Sequence, residues 1–162
     1  MSGPLSRLFV DDAKIHGNAG PGVAIEPSGS RTVRATIRDS KIDDNASAGI
    51  RLKPASGAIA RAVVRRSQID ENYNGLIVDA AGGTAVANVF GTAITDSGLD
   101  GNGLGYGVYS NGTAATVRIS RDEIVSNTRG LLSNGGRILS TGDNDIFGNV
   151  VNGAPTGTLT RG

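Results

Sequence analysis

Apolar and polar residues alternate with period two in short runs along this chain. From Val33, residues 33, 35 and 37 are apolar while Arg34, Thr36 and Arg38 are not, which is the pattern of a half-buried strand. Ile42 follows as a further inward residue, and then a polar turn of Asp43, Asp44 and Asn45. Glycine opens a second short strand, Gly49-Ile-Arg-Leu-Lys53, in which Ile50 and Leu52 face in and Arg51 faces out. The order recurs. The inward position of Ile37 is expected again at Val64, Ile94 and Ile119, and glycine-led strands return at Gly22-Val-Ala-Ile25, Gly75-Leu-Ile-Val78, Gly107-Val-Tyr109 and Gly130-Leu-Leu132. Glycine before each of these strands is read as a corner that needs positive φ. No segment sustains a 3.6-residue period, and glycine is too dense for a helix of useful length.

A second regularity fixes the repeat. An aliphatic residue, two arbitrary residues and asparagine occur as Ile15-His16-Gly17-Asn18, Ile42-Asp43-Asp44-Asn45, Ile69-Asp70-Glu71-Asn72, Leu99-Asp100-Gly101-Asn102, Ile124-Val125-Ser126-Asn127 and Ile146-Phe147-Gly148-Asn149. Subtracting successive asparagine positions gives steps of 27, 27, 30, 25 and 22 residues, the length of one coil of a solenoid. The prediction is an all-β solenoid of about six coils, with residues 1–8 as a tail or opened coil, 9–155 as the stack and 156–162 as a C-terminal tail. Parallel coils stack at roughly 4.8 Å, so Asn18, Asn45, Asn72, Asn102, Asn127 and Asn149 are expected to form an internal amide ladder that satisfies the polar groups of a buried bend.

Composition agrees with a narrow stack. Glycine supplies 25 of 162 residues, tryptophan is absent and only three tyrosines and three phenylalanines occur, so the interior is filled by small aliphatic groups. The net charge of +1 provides no global field toward nucleic acid or an anionic membrane, and neither is expected as a partner. With no cysteine, disulfides and thiolate metal sites are excluded. No apolar run approaches the ~20 residues of a membrane helix, and Met1-Ser-Gly-Pro-Leu-Ser-Arg7 has no signal-peptide core. The calcium-binding nonapeptide of β-rolls and the hexapeptide period of left-handed helices are also missing.

The asparagine motif, the glycine-led strands and the irregular coil length resemble the right-handed parallel β-helix of the pectate-lyase-like superfamily. Ser6-Arg-Leu-Phe-Val10, the Pro27-Ser-Gly29 and Pro54-Ala-Ser-Gly57 turns and Gly142-Asp-Asn-Asp-Ile-Phe-Gly-Asn149 are similar to bacterial right-handed parallel β-helix repeat proteins, a likeness running from about Leu8 to Pro155. It implies the fold, export of the full-length protein to the periplasm or outside the cell, and a chain that is a carboxy-terminal portion with its first coil cut open. An opened coil predicts self-association through coil ends. Gly49-Ile-Arg-Leu-Lys53 resembles the Arg-Ile-Lys motif of polygalacturonases, but that family's Asn-Thr-Asp and Gly-His-Gly motifs are absent.

Candidate chemistry gathers on one edge. The column after the inward aliphatic residue is expected to read His16, Asp43, Asp70 and Asp100, with Asp44 and Glu71 beside it and Arg38, Lys41, Arg65 and Arg66 along its border. Stacked carboxylates repel and call for a compensating group. Three arrangements answer that demand: Ca²⁺ held by oxygen ligands as in β-helical lyases, an acid and base pair of a glycoside hydrolase, or solvated turn carboxylates paired with Arg38, Arg65 or Arg66. The last is the expectation, with no cofactor. The outward slots run Ala24, Arg51, Ile77, Tyr109 and Leu132; the last three are expected to form an apolar patch for the tail or a second copy, and the tyrosine there could stack on a sugar. The resulting reading is a noncatalytic structural or surface-binding module, with a portion of a lyase or hydrolase of acidic polysaccharide as the alternative.

Overall fold

The computed structural model describes residues 4–98 and 105–160. All regular structure there is β-strand, and it winds in coils. The first coil is β1 (Leu5–Asp11), β2 (Lys14–His16) and β3 (Val23–Ile25); the second is β4 (Thr32–Arg38), β5 (Lys41–Asp43) and β6 (Ile50–Leu52). The third is β7 (Ile59–Arg65), β8 (Gln68–Asp70) and β9 (Leu76–Asp79); the fourth is β10 (Thr84–Phe90), β11 (Ala93–Thr95) and β12 (Tyr106–Asn111). The fifth is β13 (Ala115–Ser120), β14 (Glu123–Val125) and β15 (Arg129–Asn134), followed by β16 (Arg137–Ser140), β17 (Asp145–Phe147) and β18 (Gly157–Thr158).

Equivalent strands pair in parallel. Sheet A runs β1-β4-β7-β10-β13-β16-β18, sheet B joins β2, β5, β8, β11, β14 and β17, and sheet C joins β3, β6, β9, β12 and β15. The result is a right-handed parallel β-solenoid of about five full turns with part of another. At the first coil, β1, β2 and β3 each pair on one side only, which leaves an open end. Residue 9, expected as the start of the stack, falls inside β1. Part of the expected tail belongs to sheet A: β18 pairs with β16, and Thr156 Oγ1 accepts the Ile138 amide at 2.9 Å. It therefore does not cover the apolar patch on sheet C.

Parallel register turns the repeat into columns of like side chains. Ile42, Ile69, Ile94 and Ile124 align and are fully buried, as are Ile37, Val64, Val89 and Ile119 in the neighbouring column. This corrects the expected place of Ile94: Val89 occupies the Ile37 column, and Ile94 stands five residues later, as Ile42 does after Ile37. Each buried aliphatic side chain contributes about 1.5–3 kcal/mol. Alanines 35, 62 and 87 leave room for the three sheets to approach.

The glycines that open sheet C strands have a different cause from the one expected. Gly22, Gly49, Gly75, Gly107 and Gly130 are not at positive φ. They are needed because the next coil is too close: a Cβ on Gly49 would lie 2.4 Å from Ile69 Cγ2 and 3.0 Å from Asn72 Nδ2. Gly20, two residues before Gly22, has nothing within 4 Å of its Cβ position. Gly49→Ala should cost about 3 kcal/mol or more through overpacking, whereas Gly20→Ala should change stability by less than about 0.5 kcal/mol. Urea unfolding of the two variants checks this, and equal losses would remove the close-approach explanation.

Candidate functional site

The bend between sheets B and C is held by a side-chain ladder. Asn18 donates its backbone amide and Nδ2 to Asn45 Oδ1 at 3.2 and 2.7 Å, and Asn45 repeats both bonds to Asn72 Oδ1 at 3.1 and 2.8 Å. Asn127 makes the same pair with Asn149 Oδ1, and Asn149 with Asn152 Oδ1. Asn152 closes the ladder, a role the sequence reading missed. Asn102, the fourth expected member, lies outside the described residues, and the ladder place in that coil is taken by Ser97. Its amide donates to Asn127 Oδ1 at 3.0 Å, while its buried Oγ has no hydrogen-bond partner.

The acidic edge is assembled as expected for three coils and then changes. His16, Asp43 and Asp70 align in register, and the next member is Thr95; Asp100 lies outside the described residues. Thr95 donates its hydroxyl to Asp70 Oδ1 at 2.7 Å, and Lys41 Nζ lies 3.4 Å from Asp43 Oδ2 and 3.9 Å from Asp70 Oδ2. These groups, not the arginines, offset the stacked charge. Arg38 instead binds Asp11, Arg66 binds Asp39, and Arg65 lies 5.3 Å over the Phe90 ring. Asp43 Oδ1 is buried without a partner.

Asp44 and Glu71 occupy the next column, with Asp96, all at positive φ near 50°. The left-handed bend repeats in every coil there and aims these carboxylates into an open groove of about 810 Å³, lined also by Asn18, Tyr73 and Gly98. Burial, and then the charge of Asp70, push the Asp96 carboxyl up. Among the described residues no three His, Cys, Asp or Glu side chains form a group that could hold a metal ion; Asp100, the third carboxylate of the set expected for Ca²⁺, lies outside them.

A second polar ladder, not foreseen, runs through the bend between sheets A and B. Ser40 Oγ accepts the Ala13 amide at 3.1 Å, Ser67 Oγ accepts the Ser40 amide at 3.3 Å, and Asn144 Oδ1 accepts the Asp122 amide at 2.9 Å. Asp122 fills this column in the fifth coil, its two oxygens accepting the Thr92 and Ser120 amides at 2.9 Å each. Burial pushes its carboxyl up to about 7 against the lowering effect of those two amides, and the charge of Asp143 adds to the rise. The hydroxyl side chains of Ser40, Ser67 and Thr92, each two residues past the end of a long strand, were the available signal.

The outer faces of sheets A and C differ in kind. Arg7, Arg34 and Arg61 stack in one outward column of sheet A, and Arg38, Arg65, Arg118 and Arg137 occupy further outward positions, against the single carboxylate of Asp11. The near-zero net charge conceals this segregation. Ile77, Tyr109 and Leu132 align on sheet C as expected, with Tyr106 stacked on Tyr109 at 5.0 Å. There Arg51, of the polygalacturonase-like motif, is tied to Glu26 at 2.6 Å.

Comparison with known families returns one decisive match: residues 4–91 fit the model described as a right handed beta helix region. The chain belongs to the right-handed β-helix family. The matched span covers β1 through β10 of this β-helix, the coils in which repeat length is most regular. No curated protein and no solved structure matches it.

Two measurements test the ladders of this β-helix. Asn72→Ala leaves buried carbonyls of Ile42 and Asp70 without the Nδ2 donor they share at 2.8 Å and should cost about 2–3 kcal/mol, while Ser97→Ala removes an unpaired buried hydroxyl and should be neutral or slightly stabilising. Denaturant midpoints decide, and a large loss on Ser97→Ala would contradict the assignment. The second test is pH. Because the folded Asp122 carboxyl lies near 7 and its unfolded value is about 3.8, the folded state keeps a proton that the unfolded state has released. Its contribution to stability is therefore greatest below pH ~4 and declines as pH rises to ~7, by on the order of 4 kcal/mol. Asp122→Asn should flatten that part of the stability profile, and an unchanged slope would refute the assignment.

Proposed function

We propose that this β-helix is a noncatalytic surface-binding module that holds an acidic polysaccharide against sheet A. The observation that carries the reading is the charge on that sheet: Arg7, Arg34 and Arg61 in one column, Arg38 and Arg65 in another, and, among the described residues, Asp11 as the only outward carboxylate on its strands. Columns repeat at roughly 4.8 Å along the stack, and a linear polymer with a carboxylate on each sugar offers anions at comparable intervals. Guanidinium forks bind carboxylates in pairs of parallel hydrogen bonds. Sheet A passes to sheet B through two-residue connections such as Asp39-Ser40 and Arg66-Ser67, so a ligand lies on a face and not in a walled cleft. That favours retention over turnover.

A hydrolase or lyase of the same polymer is the second reading, favoured by the buried, unpartnered Oδ1 of Asp43 beside Asp70. The two separate in one experiment. Native electrophoresis through polygalacturonate should retard the protein, with retardation lost at high salt and in Arg34→Gln/Arg61→Gln, and no sugar released. Equal retardation by neutral dextran, or stronger retention on single-stranded DNA, would contradict the reading. Release of reducing ends or unsaturated products that Asp43→Asn abolishes would replace it with the enzymatic one.

A further inference from the structure

The left-handed bend between sheets A and B carries a charged side chain in four of five successive coils: Asp12, Asp39 and Arg66 at positive φ, then Gly91, then Arg121. Gly91 therefore leaves a notch one coil deep, an open depression of about 550 Å³ lined by Arg65, Arg66, Arg121, Phe90 and the glycine itself. No carboxylate is in that lining. Asp39 lies on the far side, its two oxygens taken by Nε and Nη2 of Arg66 at 2.8 and 2.7 Å, which leaves Nη1 to another acceptor. Asp143, at the other border, accepts the Arg121 amide at 3.2 Å and the hydroxyls of Ser120 and Thr141. Among the described residues, Arg65 and Arg121 have no carboxylate in salt-bridge contact; Arg65 lies against the Phe90 ring.

We infer that the Gly91 notch binds a tetrahedral oxyanion, a sulfate or phosphate ester group, clamped between Arg66 and Arg121 with Arg65 on its inner side. Arg66 and Arg121 are two coils apart, roughly 10 Å along the stack, a gap that guanidinium, oxyanion and guanidinium fill in line. A carboxylate offers two oxygens in one plane, whereas a tetrahedral group has further oxygens out of that plane to turn toward a second and a third guanidinium. For the source of the group, a sulfated or phosphorylated polymer, the inference rests on the reading of sheet A as a polyanion face and refines its substrate class. The notch itself stands on the geometry of the bend.

Gly91→Asp tests it. A Cβ at Gly91 meets nothing nearer than the Arg121 carbonyl at 4.0 Å, and Asp39 already holds the equivalent backbone conformation at φ 50°, so the variant should fold. Calorimetric titration of inorganic phosphate at low ionic strength should show saturable binding, weakened by about tenfold or more in Gly91→Asp and in Arg121→Gln but unchanged in Arg34→Gln/Arg61→Gln. Absence of saturable binding, or equal affinity in a folded Gly91→Asp, would overturn the site. Dextran sulfate should compete more strongly than polygalacturonate for the wild type and lose that advantage in Gly91→Asp, which assigns the ester to a polymer. Phosphate binding at the notch with no retention of any polymer would leave the site intact and refute the polymer reading of sheet A.

Discussion

Everything in this molecule depends on one constraint: each coil must lie in parallel register on the next, a strand spacing away. At that distance backbone amides of one coil reach carbonyls of its neighbour, and side chains at equivalent places touch. Inside the stack the consequence is columns of isoleucine, valine and alanine, and glycine wherever a Cβ would strike the coil below. At the bends, the same spacing lets an asparagine Oδ1 take both donors of the asparagine above it. The polar ladders are thus the means by which a chain turns inside its own core without stranding backbone groups.

Outside the stack, register converts local composition into faces. A chain with 16 basic and 15 acidic residues has almost no net charge, yet its arginines gather on sheet A and several of its carboxylates on sheet B and the following bend. Single substitutions then matter by column. Thr95 relieves a run of carboxylates that began with Asp43 and Asp70, and Gly91 interrupts a run of charged side chains on the opposite bend. The site proposed at Gly91 is such a gap in a repeat.

Fold class was legible because period-two alternation and the Ile-x-x-Asn repeat both report the coil. Register in the fourth coil was not, because Leu99-Asp-Gly-Asn102 imitates the motif while the place in the ladder belongs to Ile94-Thr-Asp-Ser97. The constant five-residue step from Ile37 to Ile42, Val64 to Ile69 and Ile119 to Ile124 points to Val89 and Ile94, and was the better guide. The acidic edge could be read from sequence, but its compensation could not, since Lys41 and Thr95 act across coils and depend on that register. Asp122 was hidden for the same reason: an aspartate after Arg121 looks like a surface turn until its two oxygens are seen to hold the amides of Thr92 and Ser120.

Residue-resolved hydrogen exchange under native conditions tests the column architecture most directly. The amides of Asn45, Ser97 and Asn127 lie in bends, where fast exchange is the ordinary expectation, yet each donates to an asparagine Oδ1 in the coil below. The account predicts that all three exchange as slowly as the amides of the neighbouring buried strands. Exchange of Ser97 at the rate of an exposed turn, with Asn45 and Asn127 protected, would contradict the continuous register on which both the ladders and the charged faces rest.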